Sequence, residues 1–388
     1  MKALFLILIF FFTILSVSNS CSAPFNGTYT IGSGGNYPTI DSALRDARTR
    51  GISGAVIFDI IPGLYNENIR IFQIPGSSAV NTLTVKSQTN NFNDVIVNNV
   101  LVSGSNITIR DLSIDSTVEI SGQGNSIVRN VDVINNKFNN NNINVYADWL
   151  FSLYDLNFTG NIDIANLVFY GEFWISSGRV DTVLIKNNTV NGDLTFYLCD
   201  NFKLENNTIN GNLNFENPCY NFEISKNKIV GDFINGANSF KISKNKITGK
   251  IITSGELINN FISGKLQYNG GMNHVLNNTI YGGAIDTPSV TIGQYLNPNY
   301  FYNNIVINPA GGTAINFDSL ISDHNDYYNG GNISLINYKG TNYNNVQDFY
   351  NSTGLDQHSV SKSVSFVSPS DLHLTGFSVG DLQLIGIP

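Results

Sequence analysis

Side-chain chemistry needs a carboxylate, imidazole, thiol or ligand cluster within reach of a partner, and this 388-residue chain offers few such places. The densest is Ser-Asp-His-Asn-Asp-Tyr-Tyr-Asn-Gly-Gly, which carries Asp323, His324 and Asp326. A carboxylate beside an imidazole can move a proton or hold a metal ion. Neighbours in a strand point to opposite faces, however, and a polar, Tyr-rich turn accounts for the segment without chemistry. These three residues are therefore weak catalytic candidates, and no catalytic set is expected. His274, His358 and His373 stand isolated in the sequence. Asp193 and Asp232 share a turn position, but Asn212 lies between them and Lys250 follows, which reads as a solvated column. No metal-ligand spacing and no phosphate-loop pattern is present, so neither a metal nor a cofactor is expected.

Binding chemistry has its own candidates. Trp149, Trp174, Tyr197 and Tyr220 are aromatic residues on which a sugar ring could stack, with buried packing as the competing reading for each Trp. The formal charge is −8 with only 21 Lys and Arg, and Arg179 is the last arginine. Nucleic acid, anionic membranes and polyanionic glycans are thereby poor partners, since their binding rests on basic side chains. Neutral polysaccharide or another cell-surface component remains. Met1-Lys2 followed by an apolar run from Ala3 to Phe12 and small residues at Ser18 and Ser20 reads as a signal peptide over 1–20. Export to the cell surface or medium is expected. Cys21 stands where a bacterial lipoprotein carries its lipid, although Ser18 replaces the usual aliphatic residue. Lipidation and an ordinary cysteine both fit, and lipidation would be the chain's one route to a membrane.

The elements that hold these residues are announced by a repeat. NFKLENNTINGN at Asn201, NFEISKNKIVGD at Asn221 and SFKISKNKITGK at Ser239 are versions of one unit. Its asparagine recurs at Asn188, Asn207, Asn227, Asn245, Asn260 and Asn278, with a glycine four residues after each. Two residues after it come only Val or Ile; three before it come only Ile, Leu or Val. Five before it stand Val183, Phe202, Phe222 and Phe240, and Lys203, Glu223, Lys241 and Glu256 fall between the apolar columns. Period-2 alternation places the aliphatic and aromatic columns inside and the charges outside as cross-strand pairs. Roughly 18 to 20 residues per repeat, with short strands and Gly/Asn turns, fits one coil of a parallel β-solenoid. Stacked asparagines, with Gly and Asn in left-handed turns, then explain the 59 Asn of the composition. The same register puts Cys199 above Cys219, a spacing that suits a disulfide and a pair of stacked thiols alike. Longer interruptions from Asn136 to Tyr146 and from Pro288 to Asn299 read as loops.

Ahead of the coils, Ile40 to Thr49 reads as a short amphipathic helix covering the open end of the solenoid. The stretch GTYTIGSGGNYPTIDSALRDARTRGISGAVIFDIIPGLYNENIRI, Gly27 to Ile71, resembles the amino-terminal part of right-handed parallel β-helix proteins of the pectin-lyase-like superfamily. TIDSAL and the Pro-Gly-x-Tyr-x-Glu turn carry that resemblance. FVSPSDLHLTG, Phe366 to Gly376, resembles the segment that closes such domains in exported bacterial surface proteins. The resemblance implies a fold and no active site. Polysaccharide lyases of the superfamily use acidic Ca²⁺ ligands and a basic residue, and no matching acidic cluster accompanies the arginines here. The galacturonase-like pattern is absent. Asp232-Phe233-Ile234-Asn235-Gly236 looks like one methylesterase strand, yet its Gln-Asp-Thr and Arg-Pro-Trp partners are missing.

The expected architecture is all-β, a right-handed single-stranded parallel β-helix with a short amino-terminal capping helix. After the signal peptide come the cap and first coils at 21–100, repeats at 101–335 and a closing segment of the same domain at 336–388. The expected role is an exported structural or glycan-interaction module. The alternative is a carbohydrate-active enzyme, a polysaccharide lyase or glycoside hydrolase, with an unfamiliar site.

Overall fold

The computed structural model describes residues 22–122, 127–147, 152–171, 180–216, 219–235, 240–269, 274–293, 299–331 and 333–384. The signal segment, Cys21, Trp149 and Trp174 lie outside the described residues. The aligned repeats pair in parallel, each with the coil before it and the coil after. A first ladder of 14 strands begins with Phe25–Ile31 and Ile52–Ile60 and passes through Cys199–Glu205, Tyr220–Ser225 and Phe240–Ser243 to Leu320–Asp323. A second ladder is built from very short strands such as Thr189–Val190, Thr208–Ile209 and Asp326–Tyr328. The third contains Leu194–Tyr197, Leu213–Glu216 and Phe233–Asn235. Lys137–Ala147 and Ile162–Gly171 run through both of these, which fuses them into one 25-stranded sheet. The chain is a right-handed single-stranded parallel β-helix, the hand that parallel strand–connection–strand units almost always take.

The Lys137–Ala147 strand corrects the expected loop at Asn136 to Tyr146. Phe138, Ile143 and Val145 are buried, and register shifts around Asn141 absorb the asparagine run as bulges. The later interruption also contains a strand, Val290–Ile292.

Inside, the aromatic column is in register from Val183 through Phe202 and Phe222 to Phe240. The Phe202 and Phe222 rings stack at 5.1 Å and 9°. A second stack, Phe169, Phe196 and Phe215, meets the first edge-on, with Phe196 and Phe202 4.7 Å apart at 77°. Both geometries favour the ring quadrupoles, so the two stacks interlock across the core. Lys203, Glu223, Lys241 and Glu256 stand in one outward column on the same strands.

The asparagines form a continuous buried ladder. Asn136, Asn161, Asn188, Asn207, Asn227, Asn245, Asn260, Asn278, Asn304 and Asn325 each lie in successive coils. The Oδ1 of Asn227 accepts from the Asn207 backbone N–H at 2.8 Å and from its Nδ2 at 2.9 Å. Asn227 Nδ2 in turn donates to Leu204 O, Ser225 O and Asn245 Oδ1. Each amide thereby satisfies corner groups that no strand can reach. The left-handed residue is not the ladder asparagine but the one before it: Asn187, Asn206, Lys226, Lys244, Asn259, Asn277 and Asn303 have φ between 57° and 59°. The glycine column answers to contact rather than torsion. A Cβ on Gly264 would lie 2.0 Å from Gly249 O, and one on Gly249 2.3 Å from Gly231 O.

Both ends are covered. Helix α1, Ile40–Arg50, is capped by Thr39 Oγ1, which accepts from Ser42 N, and buries Ile40, Ala43, Leu44 and Ala47. Glu67, from the Pro-Gly-x-Tyr-x-Glu turn, accepts from Ile40 N at 3.3 Å and Asp41 N at 3.0 Å, placing a carboxylate on the helix's positive end. A second helix, α2 at Val346–Thr353, closes the far end and was not expected. Its run of Val, Asn, Ser and Thr is poor in helix formers, although Asn345 and Gly354 mark its caps. Phe349 fills the last coil against Phe317, Tyr338 and Tyr343.

Removing one rung should be costly out of proportion to its size. Asn227→Ala strips partners from Asn207 N and Nδ2 and from Leu204 O; equilibrium denaturation should show a loss of about 3 kcal/mol or more. Lys228→Ala, at the next and exposed residue, should change stability by no more than about 0.5 kcal/mol.

Candidate functional site

At the final coil the left-handed corner falls on His324, with φ 57°. This corner cancels the strand alternation, so Asp323 and His324 do not point to opposite faces. His324 Nδ1 lies 3.3 Å from Asp323 Oδ2. The sequence expectation of divergent side chains is corrected for that reason.

The chain then passes through α2 and returns across the last coil. Asp356 N donates to Ser322 O at 3.0 Å, Val360 N to Asn325 O at 2.8 Å and Tyr327 N to Val360 O at 3.0 Å. This return delivers His358, which in space is not isolated. Its Nδ1 lies 2.7 Å from Asp323 Oδ2, and its backbone N–H donates to Asp323 Oδ1 at 2.7 Å. His324 N donates to the same Oδ1 at 2.9 Å. The two imidazole rings are 4.7 Å apart. Burial alone would raise the Asp323 pKa, but the His358 side chain and the two backbone amides outweigh it and hold the carboxyl below its ordinary value. Asp323, His324 and His358 each present a ligand atom within 4.8 Å of the others, an arrangement able to hold a metal or a shared proton.

Two further carboxylates lie beneath the returning segment. Asp356 terminates the asparagine ladder: its Oδ1 accepts from Asn325 Nδ2 at 3.1 Å and from Ser359 Oγ at 2.5 Å, and Ser322 Oγ donates to Oδ2. Burial pushes its pKa up, and the serine and asparagine donors oppose that rise. Asp326 continues the outward column of Thr279 and Ile305, but the closing segment covers it until it is only 3% exposed. Lys362 N donates to its Oδ1 at 2.7 Å, while Oδ2 is buried with no hydrogen-bond partner. The Lys362 ammonium is engaged by Asp381 at 2.6 Å. Burial therefore raises Asp326 to about 7, against the weaker pull of Lys362.

The remaining candidates fall elsewhere. Tyr197 belongs to an outward column with Tyr170 and Tyr146, two residues the sequence reading overlooked. The aligned segments Val145-Tyr146, Phe169-Tyr170 and Phe196-Tyr197 were its visible signal. Tyr170 and Tyr197 stack at 4.7 Å and 9°; Tyr146 is tilted 58° at 6.2 Å from Tyr170. Tyr220 is exposed on the first ladder, apart from this column. Cys199 and Cys219 are buried, unbridged thiols, with Cys199 N donating to Cys219 Sγ at 3.5 Å. Burial pushes the Cys199 thiol up. Asp193 and Asp232 each spend Oδ1 on the turn amide one coil on, at Asn212 N and Lys250 N. His274 and His373 pair with Glu256 and Asp371 respectively, each a single carboxylate. A cleft of about 210 Å³ at the opposite end lies between α1 and Arg70–Ile74, lined by Asp41, Arg45 and Arg48. Among the described residues, no helix is long and apolar enough to cross a membrane.

No protein-family model matches the chain, and no curated protein matches it. Among solved structures it is similar to a pectin methylesterase from Aspergillus niger in deglycosylated form, at 16% identity over 90% of this chain and 95% of that one, with a TM-score of 0.15. So low a score assigns no activity, and the fold rests on the ladders themselves.

The buried Asp326 makes stability depend on pH in a stated sense. Its folded pKa of about 7 exceeds the ordinary value of 3.8, so folding favours the neutral form. The contribution is full below about pH 4 and is lost as pH rises through 7. Asp326→Asn should accordingly raise stability at pH 8 by up to about 4 kcal/mol and change it little at pH 4, as read by denaturant titration at the two pH values.

Proposed function

We propose that the protein is an exported β-helical surface module that engages neutral polysaccharide along the third ladder. The observation that carries this reading is the outward column Tyr146, Tyr170 and Tyr197, which repeats one aromatic side chain at one position in three successive coils. Tyr146 and Tyr170 remain 40% and 36% exposed. Because Tyr170 and Tyr197 lie parallel, their faces largely cover each other and they offer edges and phenol hydroxyls. Tyr146, tilted away, is the ring with a face to give to a sugar. A rigid strip with one stacking ring and hydroxyls at strand spacing suits a repeating neutral chain. The net charge of −8 disfavours an acidic one. The amino-terminal Met1–Ser20 segment supports export.

A second reading, a carbohydrate-active enzyme, draws on Asp323 and His358, where a carboxylate held by two backbone amides orients an exposed imidazole from a distant segment. Turnover of a defined polysaccharide, lost in His358→Gln with the fold intact, would promote it over the first.

Affinity electrophoresis through gels containing soluble neutral polysaccharides tests the proposal. At least one polysaccharide should retard the mature protein. Tyr146→Ala and Tyr170→Ala should each weaken that retardation about 10-fold, with the melting temperature lowered by no more than about 3 °C. Retardation unchanged in both variants, or absent for every neutral polysaccharide, would reject the tyrosine strip as a binding face.

A further inference from the structure

We propose that Asp323, His324 and His358 form a binding site for a divalent transition cation of the zinc type, which fastens the closing segment to the last coil. The chain has four histidines, and the fold brings two of them, 34 residues apart in sequence, onto one carboxylate oxygen. The carboxylate is already oriented. Its Oδ1 is held by the His324 and His358 backbone amides at 2.9 and 2.7 Å, which leaves Oδ2 facing both Nδ1 atoms, at 2.7 Å from His358 and 3.3 Å from His324. Backbone donors that fix the far oxygen of a ligating carboxylate are the usual outer support of a metal site.

One proton cannot satisfy the cluster. The His358 contact has hydrogen-bond geometry, but His324 Nδ1, 3.3 Å from the same oxygen, is buried with no hydrogen-bond partner. A cation among the three atoms would bond all of them. Tetrahedral zinc with bonds of about 2.0–2.1 Å needs ligand atoms about 3.4 Å apart. The 3.3 Å contact already has that spacing, and the 2.7 Å contact must open by less than about 1 Å. His358 lies half-exposed at the surface, so the fourth position opens to water. Two imidazole nitrogens among three ligands select zinc-type ions over Ca²⁺ and Mg²⁺, which prefer all-oxygen sites.

The placement indicates what the ion does. The returning segment at 356–362 covers the end of the asparagine ladder and the buried Asp326, and it is attached there by backbone hydrogen bonds and by the side chains of Asp356, His358 and Ser359. Joining His358 to Asp323 and His324 would lock that cover in place.

The test uses the full mature chain, stripped with a chelator and dialysed. Zinc sulfate titration at pH 7.5, followed by calorimetry and by metal analysis after desalting, should show one zinc per chain. It should also raise the melting temperature by about 4 °C at saturation. Millimolar Ca²⁺ and Mg²⁺ should do neither. His358→Gln, on the exposed segment and so the variant least prone to unfold, should abolish stoichiometric binding and the thermal shift, as should His324→Gln. His274→Gln and His373→Gln, which each remove an imidazole paired with a single carboxylate, should retain both. No stoichiometric zinc in the wild-type chain, or binding that survives His358→Gln and His324→Gln, would overturn the site.

Discussion

The constraint on which the whole molecule depends is the need to satisfy backbone donors and acceptors at a sharp corner repeated coil after coil. Strands satisfy themselves along the ladders, but at the corner after the first ladder the chain turns through a left-handed residue and the regular pairing lapses. A buried carboxamide supplies both functions lost there. Its oxygen accepts from the coil on one side, and its nitrogen donates to backbone carbonyls and to the coil on the other. Asparagine has the shortest side chain that carries its donor and its acceptor on separate groups, neither of which ionises. Ten such residues in series make each coil from Asn136 to Asn325 dependent on its neighbours, and Phe stacks and a glycine column without room for a Cβ follow from the same regular rise.

A ladder of this kind must end, and its carboxy-terminal end is chemically distinctive. Asn325 has no further asparagine to bond. Asp356 and Ser359 of the returning segment take its donors instead, which places a carboxylate in a nearly dry environment. The segment that performs this closure also buries Asp326 and carries His358 to Asp323. The titratable cluster is thus a consequence of how the solenoid is closed. That origin explains why unusual protonation and convergent ligands coincide here rather than along the uniform faces of the coils.

Legibility followed locality. The repeat from Val183 to Leu266 could be read because its coils are short and nearly equal, so identical positions recur in the chain as they do in space. Asn136, Asn161, Asn304 and Asn325 belong to the same ladder but are separated by longer coils, and the rhythm that betrays the central six is lost there. The strand at Lys137–Ala147 was mistaken for a loop because bulges interrupt its alternation. Tyr146 and Tyr170 were aligned with Tyr197 and could have been found by carrying the repeat one column further. His358 could not, since nothing within the chain relates it to Asp323.

What the amino-acid sequence determined by itself is the solenoid: strand period, inward and outward columns, the polar ladder and the amino-terminal cap all arise from contacts that repeat at fixed intervals. What only the tertiary structure decided is the far end. Whether Asp323 and His324 diverge or converge depends on a left-handed torsion at one residue, and the third member of their cluster arrives by a helix and a returning segment 34 residues later. Periodic contacts leave a periodic trace in the chain, whereas a closure made once leaves none.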